Sequence, residues 1–263
     1  MAPPPRLALV ASTRTGSSWL ASLLDSHPAV RFHGELFNLE HASPRALRAP
    51  LDYLDEQLAS PPGSAVGGFR LLQHQARPEY VNDFLAEMDE GRRARTDWRA
   101  EFPVRPVTEA MLPALGALWD ALPDRRRFAV IHLQRRNLLR QRLSHERLMA
   151  ESRADWRDTA PDAALRLDAT HLVERFEAHS RTVDALRRRL APGRTLEVFY
   201  EDLLAEPTAG LARILAFLEL PAAPLHSAVR RRPQRPLREA LANYDEVARA
   251  LAGTRWAALL DEA

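Results

Sequence analysis

The 263-residue chain has no cysteine. That excludes a disulfide framework, a thiolate nucleophile and any cysteine-ligated zinc. It has no lysine either, so all 37 basic residues are arginine, and a pI near 9.5 accompanies a formal net charge of only +2. A nucleoside triphosphatase P-loop needs GxxxxGK(S/T), with its lysine on the β/γ phosphates and its hydroxyl on magnesium. A chain without lysine disfavours ATP or GTP hydrolysis by that device. No apolar run is long enough to span a bilayer, and residues 1–6, with their prolines, lack the charged-then-apolar layout of a secretory signal. A cytoplasmic location is therefore expected. The nine histidines fall at spacings that match no metal-ligand pattern, so no metal is expected. The arginines alternate with acids and few aromatics interleave with them, so nucleic-acid binding is not indicated. Repeats and low-complexity linkers are absent, and with 46% apolar and 27% charged residues the chain reads as a single globular domain, 1–263.

What is present begins with residues 7–19, LALVASTRTGSSW. Apolar Leu7, Ala8, Leu9 and Val10 suit a short buried strand, and Trp19, Leu20, Leu23 and Leu24 then fall at helical spacing. Residues 13–18 are the strand-to-helix turn. Gly16 permits close approach of a ligand, the first-turn N–H groups have no intrahelical partner, and the positive end of the helix dipole favours an anion. Arg14, Ser17 and Ser18 add side-chain donors. The competing reading is an ordinary Ser/Thr helix cap beside a solvated arginine.

Strands are predicted at 29–32, 65–72, 128–133 (FAVIHL) and 195–200 (TLEVFY). Helices are predicted at 44–58, 80–88, 111–122, 137–149, 171–190 and 207–218, and again near the end of 228–251. Alternating strands and helices imply a mainly parallel central sheet with helices on both faces, a three-layer α/β sandwich. Residues 91–107 and 151–168 lack a clear period, with Trp98, Phe102 and Trp156 among them, and segments 77–122 and 151–170 are expected to form lids around an acceptor.

A second constellation follows the FAVIHL strand in HLQRRNLLRQRLS, where Arg136 ends the strand and Ser144 lies two helical turns on. Ligands of open α/β sheets sit at the carboxyl ends of the strands, so two anion sites at that edge suggest a ligand with two separated phosphates. Alternatively, Arg135, Arg136, Arg140 and Arg142 are a solvated basic helix face. A third feature is FHGELFN, which offers Glu35 and His33 as proton acceptors. For Glu35 the competing reading is an ion pair with one of the many arginines.

Together these residues resemble the sulfotransferases that use 3′-phosphoadenosine 5′-phosphosulfate (PAPS). STRTGSSWLASLLDSHP resembles that family's 5′-phosphosulfate loop and RRNLLRQRLS its 3′-phosphate segment. VRFHGELFN, YEDLLAEP and PLREALANYDEV are similar to the bacterial carbohydrate and natural-product branch, which includes trehalose and nodulation-factor sulfotransferases. Many cytosolic members have lysine where this chain has Arg14; the carbohydrate-type members agree with Arg14. The resemblance implies a P-loop NTPase-like fold and transfer of a sulfuryl group to a hydroxyl of a carbohydrate, lipid or secondary metabolite. It implies Arg14, Thr15, Gly16, Ser17, Ser18 and Trp19 at the 5′ end of PAPS, and Arg136 and Ser144 at the 3′ phosphate. Arg231, Gln234 and Arg235 would close over the nucleotide. Glu35 is the implied general base with His33 as runner-up, and no metal is required. A small-molecule kinase on a related fold and a catalytically silent nucleotide-binding protein are the alternatives. The partner is a small-molecule, glycan or lipid acceptor; a homodimer is left open.

Overall fold

The computed structural model describes residues 6–38, 43–59, 66–73, 75, 112–153 and 163–261. In chain order the strands are β1 (Arg6–Ala11), β2 (Val30–Phe32), β3 (Val66–Leu72), β4 (Phe128–Gln134) and β5 (Arg194–Phe199). The helices are α1 (Ser17–Asp25), α2 (Pro44–Arg48), α3 (Pro50–Gln57), α4 (Leu112–Ala121), α5 (Leu138–Arg153), α6 (Leu172–Leu190), α7 (Tyr200–Ala205), α8 (Pro207–Phe217), α9 (Leu237–Ala240) and α10 (Tyr244–Leu251). The chain forms two compact units, one of residues 1–134 and 189–230 and the other of residues 135–188 and 231–263.

The first unit holds a five-stranded, all-parallel sheet in the order β2-β3-β1-β4-β5. Parallel strands buried on both faces read as near-continuous apolar runs, which is how β1 and β4 look in the sequence. Successive side chains alternate between faces. Leu7, Leu9 and Ala11 of β1 therefore join Val66 and Leu72 of β3 and Ala129, Ile131 and Leu133 of β4 in one core, closed by Leu20 and Leu24 of α1, Leu203 of α7 and Ile214 of α8. On the opposite face the Phe69 ring meets Phe37 and Phe128 edge-on, with centroids 6.1 and 6.2 Å away, and Phe37 in turn meets Tyr53 of α3. Helices thus cover both faces, as the alternation predicts. The chain runs from β1 to the β2 edge, returns through β3, and crosses beyond β1 to β4. That reversal makes the carboxyl end of β1 the switch point at which such sheets bind ligands.

Two predicted boundaries change. The single helix expected over 44–58 is two helices, because Pro50 has no N–H to continue α2 and instead occupies the first turn of α3. The strand expected to run through Tyr200 stops at Phe199, and Tyr200 opens α7. The helix predicted at 80–88, with Trp98, Phe102 and Trp156, lies outside the described residues.

The second unit packs Leu138, Leu139 and Leu143 of α5 against Leu167, Leu172 and Phe176, and closes with Leu237, Leu241, Val247 and Leu251. Asn243 is buried and uses its amide twice: Oδ1 accepts from the Leu167 N–H at 3.0 Å and Nδ2 donates to the Leu167 carbonyl at 2.8 Å. A backbone bridge pairs Leu165 with Leu241 beside it. Segment 163–170, within one of the two expected lids, is therefore anchored by its own backbone. Glu177 of α6 accepts a fork from Arg255 at 2.9 and 2.6 Å and the Trp256 indole N–H at 2.8 Å, and these bonds hold its carboxyl below the usual range.

Candidate active site

The turn after β1 is built by its backbone. Arg14 has φ 62° and Gly16 φ 86°, so two residues in three are left-handed, a backbone of the kind that forms anion-binding concavities. For Arg14, a non-glycine residue, that conformation costs about 1–3 kcal/mol. Gly16 is the N-cap of α1, and no side chain caps that helix. The N-cap of α1 is therefore a glycine, not the serine or threonine of an ordinary helix cap. Thr15 is buried and its hydroxyl donates to the Ser12 carbonyl at 2.9 Å, so that side chain shapes the turn. Ser17 is buried, whereas Arg14 and Ser18 are exposed. A Cβ on Gly16 would lie 2.5 Å from the Tyr200 ring, whose edge-to-face contact with Trp19 has a centroid distance of 6.3 Å. Tyr200 is thus a wall of the turn.

Glu35 follows β2 at the same edge of the sheet. The pairing of β2 with β3 continues past Phe32, since the His33 N–H donates to the Gly68 carbonyl and the Arg70 N–H to the Gly34 carbonyl, both at 2.8 Å. That register brings Arg70 of β3 beside Glu35. Arg70 Nη2 pairs with Glu35 Oε1, and Nη1 donates to the Ser18 hydroxyl of α1. Gln75 Nε2 donates to Glu35 Oε2 at 2.8 Å, and Asn38 Nδ2 donates to the same oxygen at 3.1 Å. The Glu35 and Arg70 side chains are 17% and 15% exposed, so the pair is largely but not wholly withdrawn from water. The ion pair that the sequence set against catalysis is therefore present, and its partner is Arg70. Pairing does not remove the carboxylate from chemistry, because the same arginine also contacts the anion turn.

His33 has a different environment. Partial burial and the nearby Arg31 push its pKa below the ordinary histidine value, with Asp25 opposing. The ring is accordingly neutral at pH 7 and able to accept a proton, but as a weaker base than an ordinary histidine. His33→Asn is expected to hold kcat within about tenfold of the parent, whereas loss of a true general base costs roughly 10²–10⁴-fold. Steady-state kinetics at pH 7 and 8 would check this, and a larger loss would move the base from Glu35 to His33.

The second unit carries the other predicted group. β4 ends at Gln134, so Arg136 stands two residues past the strand, exposed. Asn137 then caps α5, its Oδ1 accepting from the Arg140 N–H at 2.9 Å. Ser144 lies on that helix and is half-buried. Of the four arginines of the basic-face alternative, Arg136 is exposed as that reading expects, whereas Arg140 is engaged by the backbone. Arg140 donates to the Arg235 carbonyl, Arg142 pairs with Glu146, and Arg147 donates to the Ala163 carbonyl at 3.2 Å. The Arg140 bond ties the chain at Arg235 to the helix that bears Ser144. Arg231 and Gln234 are exposed and Arg235 half-buried. The core histidine His132 is buried, 3.4 Å from the Gln134 amide and 3.8 Å from Glu197.

Arg70, Gln75 and Asn38 were not among the residues singled out by the sequence. A charge inside the apolar run VGGFRLL was a usable signal for Arg70, because buried charges are nearly always paired. Among the described residues, no helix is long and apolar enough to cross a membrane.

Over 261 residues the chain is 26% identical to "Nodulation protein H" of Rhizobium tropici, spanning 97% of this chain and 92% of that protein. A crystal structure of a sulfotransferase from Alicyclobacillus acidocaldarius is similar at 17% identity and a TM-score of 0.46, over 97% of this chain and 95% of that one. The model of the sulfotransferase family matches residues 5–224, from the start of β1 to beyond α8 and so through the turn, Glu35, Arg70, Arg136 and Ser144. The chain belongs to the sulfotransferase family.

Proposed function

We propose that the chain transfers the sulfuryl group of PAPS to a hydroxyl of a carbohydrate, lipid or secondary metabolite, with Glu35 as general base. The observation that carries the reading is the pair of contacts made by Arg70, which joins the Ser18 hydroxyl of the anion turn to the Glu35 carboxylate. An anion cradle and a proton acceptor thus share one guanidinium, as transfer between an anionic donor and a hydroxyl requires. When bound, PAPS supplies an SO3 group on a phosphate leaving group. The fit rests on the two left-handed residues of the turn and on the helix start at Gly16, which bears no side-chain cap and supplies backbone donors for a phosphate. Arg14 and the N–H groups of residues 16–18 would hold the 5′ phosphate and the charge that develops on it. Arg136 and Ser144 would hold the 3′ phosphate, with Arg231, Gln234 and Arg235 near it.

In the transfer, the acceptor oxygen–sulfur bond forms as the bridging sulfur–oxygen bond breaks, and that electron pair stays on the phosphate. The hydroxyl proton passes to Glu35. Positioning and electrostatics supply most of the acceleration, since no covalent intermediate with the protein is needed. The likeness to a nodulation protein supports the bacterial carbohydrate and natural-product branch, and a cytoplasmic site of action agrees with an intracellular donor.

Calorimetry with adenosine 3′,5′-bisphosphate against ATP tests the donor. Selective binding of the bisphosphate is expected, and Arg136→Ala should weaken it by about 1.5–3 kcal/mol through loss of a charge-assisted bond. Equal affinity for ATP, or an unchanged Arg136→Ala, would count against the reading. An acceptor library screened with labelled PAPS would then name the acceptor.

A further inference from the structure

A carboxylate offers about four lone-pair directions. Among the described residues, Glu35 fills both on Oε2 with the Gln75 and Asn38 amides and one on Oε1 with Arg70, which leaves the fourth on Oε1. We infer that Arg70 and Gln75 are positioning residues that fix this carboxylate so that Oε1 takes the proton of the acceptor. The inference rests on Glu35 being the base.

Gln75 suits that role because its amide cannot turn over. Its Oε1 accepts the Leu72 N–H at 3.1 Å, so Nε2 is necessarily the end that faces Glu35. Its main chain is fixed as well: the N–H donates to the Leu72 carbonyl at 2.8 Å, and the carbonyl accepts the Trp119 indole N–H of α4 at 3.0 Å. The side chain is 1% exposed, so a reversed amide would leave a buried N–H and a buried oxygen each facing its own kind. Arg70 supplies the opposing constraint on Oε1 and carries a charge that does not titrate. As the proton reaches Oε1 the negative charge of Glu35 disappears, while negative charge grows on the leaving phosphate proposed for the turn. With one nitrogen on Glu35 and one on Ser18, Arg70 is a cation between the two positions and remains paired throughout.

Glu35→Gln, Gln75→Leu, Gln75→Glu, Arg70→Ala and Arg70→Lys would be compared by hydrolysis of labelled PAPS, with water as the acceptor, from pH 5 to 9. Thermal melting and affinity for adenosine 3′,5′-bisphosphate report folding. The Glu35 carboxyl resonance in carboxyl-13C glutamate-labelled protein, identified by its loss in Glu35→Gln, reports titration without need of turnover. Gln75→Leu is expected to lower kcat about tenfold with KM for PAPS unchanged, and to move the Glu35 midpoint upward because a donor to the charged form is gone. Gln75→Glu should move it further in the same direction, as two carboxylates come to share a proton; the charged group facing the pair is Arg70. Arg70→Lys should recover part of the loss in Arg70→Ala. Folded Gln75 variants with parental kcat and an unmoved Glu35 resonance would overturn the inference while leaving Glu35 as the base. A fully active Glu35→Gln would instead remove the base itself, and with it the inference.

Discussion

Glu35→Gln is expected to lower kcat by roughly 10²–10⁴-fold, the range for loss of a general base. The substitution keeps the shape of the side chain and removes its charge. It also disturbs the cluster, because one end of the new amide must be a donor. Arg70 offers only donors, and the Gln75 amide is held by the Leu72 N–H with its own donors toward residue 35. Whichever way the new amide settles, its N–H groups face either the Arg70 or the Gln75 donors. Binding of adenosine 3′,5′-bisphosphate should be equal or tighter, since a negative charge near the anion turn has gone and Arg70 is released toward Ser18. Turnover and calorimetry on the same preparation give the two numbers. A kcat within about threefold of the parent would exclude Glu35 as the base.

Gly16→Ala is the second large effect, and it acts on both stability and binding. The backbone there has φ 86°, and the added methyl would lie 2.5 Å from Tyr200 Cδ2, inside any normal contact. A left-handed alanine costs about 1–2 kcal/mol. Forcing an aromatic ring out of place adds about 1–3 kcal/mol more. At about 2–4 °C per kcal/mol for a chain of this size, the melting temperature should fall by roughly 4–20 °C. Affinity for the bisphosphate should fall at least about tenfold if the turn opens, because the N–H groups that would meet the phosphate lose their alignment. Gly16→Ala with Tyr200→Ala separates the two costs: the double variant should recover the steric part and keep the backbone part. Calorimetric melting of both proteins checks this, and no recovery would mean that the Tyr200 ring moves aside freely.

Much of the fold was legible because local signals agree with the final structure. β1 and β4 are apolar runs of strand length, α6 has strong helical periodicity, and parallel pairing followed from strands alternating with helices. Pro50 was also legible, since a proline cannot donate to a preceding helical turn, yet the apolar spacing across 44–58 masked the break. Within the site, the turn and Glu35 stood out because their residue types are unusual at a strand end. Arg70 and Gln75 did not. Each reaches Glu35 across a separation of 35 or more residues, through a strand pairing that the sequence of either strand leaves unspecified.

By itself, then, the amino-acid sequence determined the chemistry available: arginine as the cation everywhere, no thiol, a glycine where the backbone turns left-handed, and one carboxylate at the end of a short strand. Those are properties of residue type and near neighbours. The tertiary structure decided which groups meet. The order β2-β3-β1-β4-β5 sets β3 between the Glu35 strand and the strand that leads to the anion turn, so an arginine on β3 can reach both. No local rule selects that order, because strand pairing is fixed by how the helices cover the two faces and by where the chain crosses the sheet.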